Sequence, residues 1–393
     1  MTPAAHWIFA LAVAGVLYPY AVYPLLLVLV AALRPRRGPP ADPERWPTVS
    51  VLLPARNEEA TIAATLERVL AADYPRDRRQ IVVVSDASTD RTDQIVRSFA
   101  DRGVELLRLD QRGGKTAAEN AAREHLHGEI VVNTDASVHL DARGLKELVR
   151  PFSDPAVGLT SGRDVSVVVR ARDSNVGESG YVGYEMWVRD LETRIGTIVG
   201  ASGCFYAIRK RLHMVLVPEA LSRDFAAALV AHEFGMRAVS VPQALCYVPR
   251  VRSVRREYPR KVRTMTRGLE TLWFKRHLMN PFRHGLFAWL LWSHKLARWL
   301  VPWAFAAGGL SLLALAPSET WAVVVLLAGI AALGVAAIGW WWPENKAAPL
   351  VPALLAYVIS GLFAALVAWI KALSGELNPV WEPTRRHDLN LQI

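Results

Sequence analysis

The chain has 393 residues, with 46 Lys and Arg against 36 Asp and Glu, for a formal net charge of +10. Hydrophobic residues make up 52%, somewhat above the roughly 45–50% usual for soluble proteins. Charges crowd into 34–285, whereas 6–33 and 299–370 hold almost none. This distribution excludes a disordered chain and a plain soluble domain. Two cysteines, Cys204 and Cys246, exclude a disulfide framework and a Cys-rich zinc site. Much of the positive excess adjoins apolar runs, where it reports membrane orientation rather than a nucleic-acid partner.

The first predicted element is a transmembrane helix. Residues 6–33 carry no Asp, Glu, Lys or Arg, and a bilayer needs about 20 such residues in a helix. A cleaved signal peptide would need a positive start and a shorter apolar core. Three further spans are expected at about 296–316, 320–342 and 349–371. Trp289, Trp292, Trp299 and Trp303 enter the first and Trp340, Trp341 and Trp342 close the second, at the level where indole rings settle. Arg34, Arg36 and Arg37 follow the first helix, and Arg276, Arg283, Lys295 and Arg298 precede the next. By the positive-inside rule the region between them is cytoplasmic. One span before that region and three after it would leave the tail outside, yet Lys371, Arg385 and Arg386 favour the inside. An apolar segment that is interfacial or re-entrant would reconcile the two.

Between the spans, strand-like and helix-like blocks alternate. TVSVLLPA (48–55), IVVVSD (81–86), VELLRLD (104–110) and EIVVNTD (129–135) read as strands, separated by helices of about 10–15 residues. That pattern predicts βαβ units in a mostly parallel α/β sheet, whose ligands bind beyond the carboxyl ends of the strands. Polar runs stand at those ends: Arg56-Asn57-Glu58, then Ser85-Asp86, then Thr134-Asp135. Asp90 reads as a helix cap, while Asp86 and Asp135 end strands on one edge and read as site residues. Gly113-Gly114-Lys115-Thr116 looks like part of a phosphate loop, but Leu109 stands where that motif needs its first glycine.

SVLLPARNE (50–58), SDASTD (85–90), GGKTAAENAA (113–122) and NTDAS (133–137), in this order and flanked by apolar spans, resemble membrane-bound glycosyltransferase family 2. That family includes the synthases of cellulose, hyaluronan, chitin and poly-N-acetylglucosamine. The resemblance implies a Rossmann-like glycosyltransferase A-type domain that moves a sugar from a nucleotide-sugar with inversion. It implies Asp86 at the base, Glu58 at the nucleoside, Lys115 and Asn120 near the nucleotide, and Asp135 at Mg²⁺ or Mn²⁺. The second metal-motif carboxylate is absent, since the motif reads Asp135-Ala136-Ser137. One carboxylate together with substrate phosphates can still hold such an ion.

SRDF (222–225) matches the position of the family's general base, which would be Asp224. VGASGCFYAIRK (199–210) resembles the loop below the acceptor, with Gly200, Ser202 and Gly203, and Glu185 ahead of it is expected to face the acceptor. In RREYPRKVRTMTRG (255–268), Arg260 and Arg263 are expected at the leaving diphosphate. Thr264 stands where processive synthases carry an aromatic acceptor platform.

The expected organisation is a transmembrane helix at 1–34, a cytoplasmic domain at 35–250, amphipathic interface helices at 251–295, transmembrane helices at 296–372 and a tail at 373–393. The expected partners are a UDP-sugar of the glucose or N-acetylglucosamine type, a glycan acceptor of the cell envelope, and the bilayer of a bacterial-type inner or plasma membrane. Two alternatives stand beside this: a polyprenyl-phosphate or other lipid acceptor, and a non-catalytic partner of a synthase complex.

Overall fold

A computed structural model describes residues 2–35, 38, 40–167, 176–249, 253–343, 346 and 348–376. Arg36, Arg37, Arg385, Arg386 and the tail from 377 onward lie outside the described residues. The strands are β1 (Val49–Ala55), β2 (Arg79–Asp86), β3 (Val104–Leu109), β4 (Ile130–Thr134), β5 (His139–Leu140), β6 (Val157–Val167), β7 (Phe205–Arg209) and β8 (Arg237–Pro249). They form one sheet in the order β3-β2-β1-β4-β7-β6-β8-β5.

β1 is buried at every position. Its unbroken apolar run belongs to a strand covered on both faces. Val51 and Leu53 point to one core with the Ile62–Ala71 helix, while Leu52 points to another with the Lys115–Ala121 and Arg223–Glu233 helices. β2 and β4 flank β1 in parallel, and β3 adds in parallel to β2. The expected parallel sheet therefore holds for this half. Beyond β4 the sheet is mixed, because β7 runs antiparallel to both β4 and β6. The chain between β6 and β7 builds the Val176–Ile195 helix, whose Val188, Leu191 and Ile195 pack with Tyr23 and Leu27 of the N-terminal helix and with Phe287 and Leu290. That core ties the sheet domain to the apolar helices.

Four helices are long and apolar enough to cross a membrane: Pro3–Ala32, Pro281–Leu315, Thr320–Trp340 and Leu350–Ser374. Large apolar side chains such as Trp7, Leu11, Leu310, Leu327 and Ile330 are exposed on them, as a lipid-facing surface requires. The helix expected at 296–316 begins earlier, at Pro281, behind an Asn280 cap that accepts the Phe282 N–H at 2.9 Å. It bends at Gly285 (φ 45°, ψ −119°) and passes through a π-helical turn at Trp292–Leu296. Arg283 and Lys295 hid this start from the hydropathy pattern, yet Lys295, like Arg298, turns toward the sheet domain, as its partners below show.

Candidate active site

The carboxyl ends of β1 and β4, the 200–204 loop and the first turn of the Arg223–Glu233 helix converge on a cavity of about 350 Å³. Of the residues expected at the site, Glu58, Lys115, Asp135, Ser202, Gly203, Asp224, Arg260 and Arg263 line it. Its roof is the Val254–Phe274 helix, which presents Arg260, Arg263, Thr264, Arg267 and Gly268. Those positions follow the i, i+3, i+4, i+7 spacing of one helix face.

Lys115 opens its helix just after Gly114, whose φ of 90° is a left-handed conformation natural to glycine. Its ammonium donates to Asp135 Oδ1 at 2.5 Å and to the Gly203 carbonyl at 2.8 Å. Burial opposes the charge, but the carboxylates of Asp135, Glu119 and Asp224 outweigh it and raise Lys115 above the ordinary lysine range. This contact bridges β4 to the 200–204 loop. In that loop Ser202 Oγ donates to Asp164 Oδ1 at 2.6 Å, and the Ser202 N–H donates to Ser161 Oγ at 2.8 Å. Burial pushes the Asp164 carboxyl up despite the Ser202 bond and nearby Arg189.

Asp224 lies in the first turn of its helix, and Ser222 Oγ donates to its Oδ1 at 2.5 Å. Ser222, not Asp224, occupies the cap position, and the Asp224 carboxylate faces the cavity. A Cβ placed on Gly203 would stand 2.8 Å from Asp224 Oδ2. Gly203→Ala is therefore expected to displace this carboxylate. We expect turnover to fall by about 10²-fold, the loss typical of a displaced reacting group, with thermal stability near that of the unsubstituted protein. Single-turnover rates and melting curves check this.

Three expected site residues lie elsewhere. Asp86 is buried, and its two carboxylate oxygens accept the Gly113 and Gly114 N–H groups at 2.7 and 2.9 Å. It shapes the loop that delivers Lys115 and does not line the cavity. The backbone there is strained, since Ala87 and Asn57 both have positive φ, and Arg56 holds the turn by donating to the Asp86 carbonyl at 2.5 Å. Asn120 donates to the Val217 carbonyl at 2.8 Å and accepts from Arg223. It positions the arginine that lines the cavity. Glu185 is neither a surface charge nor on the cavity wall. It is buried and accepts from Arg298 at 2.5 Å and Arg189 at 3.2 Å, with His294 Nε2 at 2.8 Å.

The structure also adds residues that the motifs did not single out. Glu119 is fully buried below Lys115, with Arg223 Nε 3.6 Å away. Burial holds its carboxyl above the ordinary range despite Lys115 and Arg223. Arg267 donates to Thr116 Oγ1 at 2.7 Å and to the Glu219 carbonyl at 3.0 Å, closing one side of the cavity. Its place on the arginine-bearing helix face was a signal available in the sequence. Lys295 and Trp299, from the Pro281–Leu315 helix, complete the lining.

Among the described residues, no group of three or more His, Cys, Asp or Glu side chains is arranged to hold a metal ion. The hard oxygen donors at the end of β4, Asp135 and Ser137, both face the cavity. They fit Mg²⁺ or Mn²⁺ shared with a diphosphate, and not an ion caged by protein alone.

Residues 50–215 match the family model described as Glycosyl transferase family 2. That match spans about two fifths of the chain. The domain is 27% identical to the β-monoglucosyldiacylglycerol synthase of a Nostoc species over 46% of this chain and 40% of the relative. It is 24% identical to the poly-β-1,6-N-acetyl-D-glucosamine synthase of Staphylococcus epidermidis over 57% of this chain and 55% of the relative. The chain thus spans about half the length of these curated relatives. The mannosyltransferase PcManGT of Pyrobaculum calidifontis, solved with GDP-Man and Mn²⁺, superposes with a TM-score of 0.72 at 24% identity. That likeness covers 95% of this chain and 99% of the other, so the shared architecture extends through the apolar helices. The sheet domain has the glycosyltransferase A-type fold.

Proposed function

We propose that this chain is an inverting, membrane-embedded glycosyltransferase. It moves a sugar from a UDP-sugar of the glucose or N-acetylglucosamine type to an acceptor presented at the cytoplasmic membrane surface. The observation that carries this reading is one cavity in which Asp224 and Asp135 from the sheet domain share walls with Lys295 and Trp299 of an apolar helix. A hydroxyl on a lipid or on a membrane-attached glycan reaches such a cavity directly. The similar proteins of Nostoc and Staphylococcus epidermidis are a glucosyldiacylglycerol synthase and an N-acetylglucosamine polymer synthase.

In the reaction the acceptor oxygen bonds to the anomeric carbon as the bond from that carbon to the diphosphate breaks. Asp224 takes the hydroxyl proton. Lys115 and Arg263 face the diphosphate, which leaves with its added negative charge, and Arg260 stands beside them with partners in Glu178 at 2.8 Å and Glu257 at 2.5 Å. Asp135 would hold a divalent ion there, which would supply further neutralisation of that leaving group.

The test is incubation of the purified protein in lipid with labelled UDP-glucose, UDP-N-acetylglucosamine and GDP-mannose, with Mg²⁺ or Mn²⁺. Transfer from a UDP-sugar into a product that enters organic solvent is the expected result. Preference for GDP-mannose would overturn the UDP assignment. Absence of both hydrolysis and transfer with every donor would favour a non-catalytic partner of a synthase.

A further inference from the structure

The π-helical turn at Trp292–Leu296 sorts the charged residues of this apolar helix onto two sides. On one side His294 lies between two carboxylates, Nδ1 2.6 Å from Glu192 Oε1 and Nε2 2.8 Å from Glu185 Oε1. Arg298 donates to Glu185 Oε2 at 2.5 Å, and Tyr23 of the N-terminal helix donates to Glu192 Oε1 at 2.5 Å. These contacts pin the helix to the sheet domain. On the other side Lys295 and Trp299, one turn apart, line the cavity. π-Helical turns of this kind recur where a helix must aim side chains at a ligand.

Lys295 is left with unspent capacity. Its side chain is 18% exposed, and among the described residues its only ion-pair contact is Glu185 at 3.8 Å. Glu185 already serves Arg298, Arg189 and His294 at shorter distances. No hydrogen bond from the Lys295 ammonium is formed within the described residues. The ammonium's three N–H groups are thus free to bond an anion in the cavity. Lys295 stands against Gly200, where an added Cβ would meet its Nζ at 3.4 Å, whereas Lys115 bonds the carbonyl of Gly203. Beside Lys295, the Trp299 indole packs edge-on to Phe225, with centroids 6.1 Å apart, and against bare Gly268.

We propose that Lys295 and Trp299 form the acceptor subsite, and that they select an acceptor whose reacting hydroxyl is flanked by a phosphate, as in a glycerophospholipid headgroup. The lysine pairs with the phosphate oxygen while the indole covers the adjoining carbon chain. This rests on the transferase reading above, with Asp224 taking the hydroxyl proton.

The full chain, reconstituted in phosphatidylcholine vesicles doped with either phosphatidylglycerol or diacylglycerol, tests it. Soluble glycerol 3-phosphate forms a third arm, separating a lipid headgroup from a free phosphate-bearing alcohol. We expect a higher kcat/KM with phosphatidylglycerol than with diacylglycerol. Lys295→Met should reduce that ratio by about tenfold, the effect of losing one charge-assisted bond, mainly through KM. Lys295→Arg should retain most of it. Equal rates with the two lipids, or an equal loss with both in Lys295→Met, would overturn the proposal. Should no acceptor be glycosylated, lipid retention decides: native mass spectrometry is expected to find phosphatidylglycerol held by the unsubstituted chain and lost from Lys295→Met. Equal retention would overturn the subsite even if the transferase reading stood, and donor hydrolysis measured without acceptor tests that reading separately.

Discussion

Asp224→Asn is expected to lower the rate of sugar transfer by about 10²–10⁴-fold, the range for loss of a positioned general base. The substitution keeps side-chain volume and retains an oxygen that can accept the 2.5 Å bond from Ser222 Oγ. The helix keeps its Ser222 cap position as well. What disappears is a basic oxygen facing the acceptor side of the cavity. Lys115 also loses one of the three carboxylates that sustain its charge, but its direct bonds to Asp135 and the Gly203 carbonyl persist. Nucleotide binding should therefore survive. Transfer measured in rapid-quench experiments and nucleotide affinity measured by calorimetry separate the two effects. A variant with near-normal transfer would remove Asp224 from the mechanism, and one that has lost nucleotide binding would make it a donor residue.

Asp135→Asn tests the other end of the cavity. Asp135 is the only carboxylate of the shortened metal motif, and Lys115 donates to it at 2.5 Å. Removing its charge has two opposed consequences. Lys115 loses its nearest anion and becomes freer to pair with the diphosphate, while the divalent ion loses its carboxylate ligand. The second should prevail, because an ion carrying two charges neutralises a leaving diphosphate more effectively than one ammonium. We expect kcat/KM to fall by about 10²–10³-fold, as when one transition-state electrostatic contact is removed, with a higher Mn²⁺ concentration at half-maximal rate. Calorimetry should find Mn²⁺ bound tightly by the unsubstituted protein only when nucleotide is present. Tight binding of Mn²⁺ alone would point to protein ligands beyond Asp135 and Ser137.

Much of this architecture is legible in local patterns. The unbroken apolar run of β1 marks a strand covered on both faces, and the polar residues that follow β1 and β4 mark the edge where the cavity opens. Glu58 and Asp135 stand in that pattern, Arg260 and Arg263 are expected from the family resemblance, and Arg267, which the motifs did not single out, shares their helix face. Asp86 is the instructive case. A strand-end aspartate reads as a ligand contact; in the structure its two oxygens accept the Gly113 and Gly114 N–H groups, which ties β2 to the loop that carries Lys115.

The amino-acid sequence by itself determined the βα order of the domain and the four apolar helices, which depend on periodicity and composition within a few turns of chain. The motifs that carry the family resemblance added Glu58, Asp135, Asp224, Lys115, Arg260 and Arg263 of the cavity lining. Only the tertiary structure decided which side of the apolar helix faces the cavity. Glu185 meets His294 across 109 positions, and that contact turns Lys295 and Trp299 of an apolar helix into a wall of the site. Such pairing follows from desolvated charges seeking partners wherever the fold brings them together, a constraint that leaves no mark in the spacing of either segment.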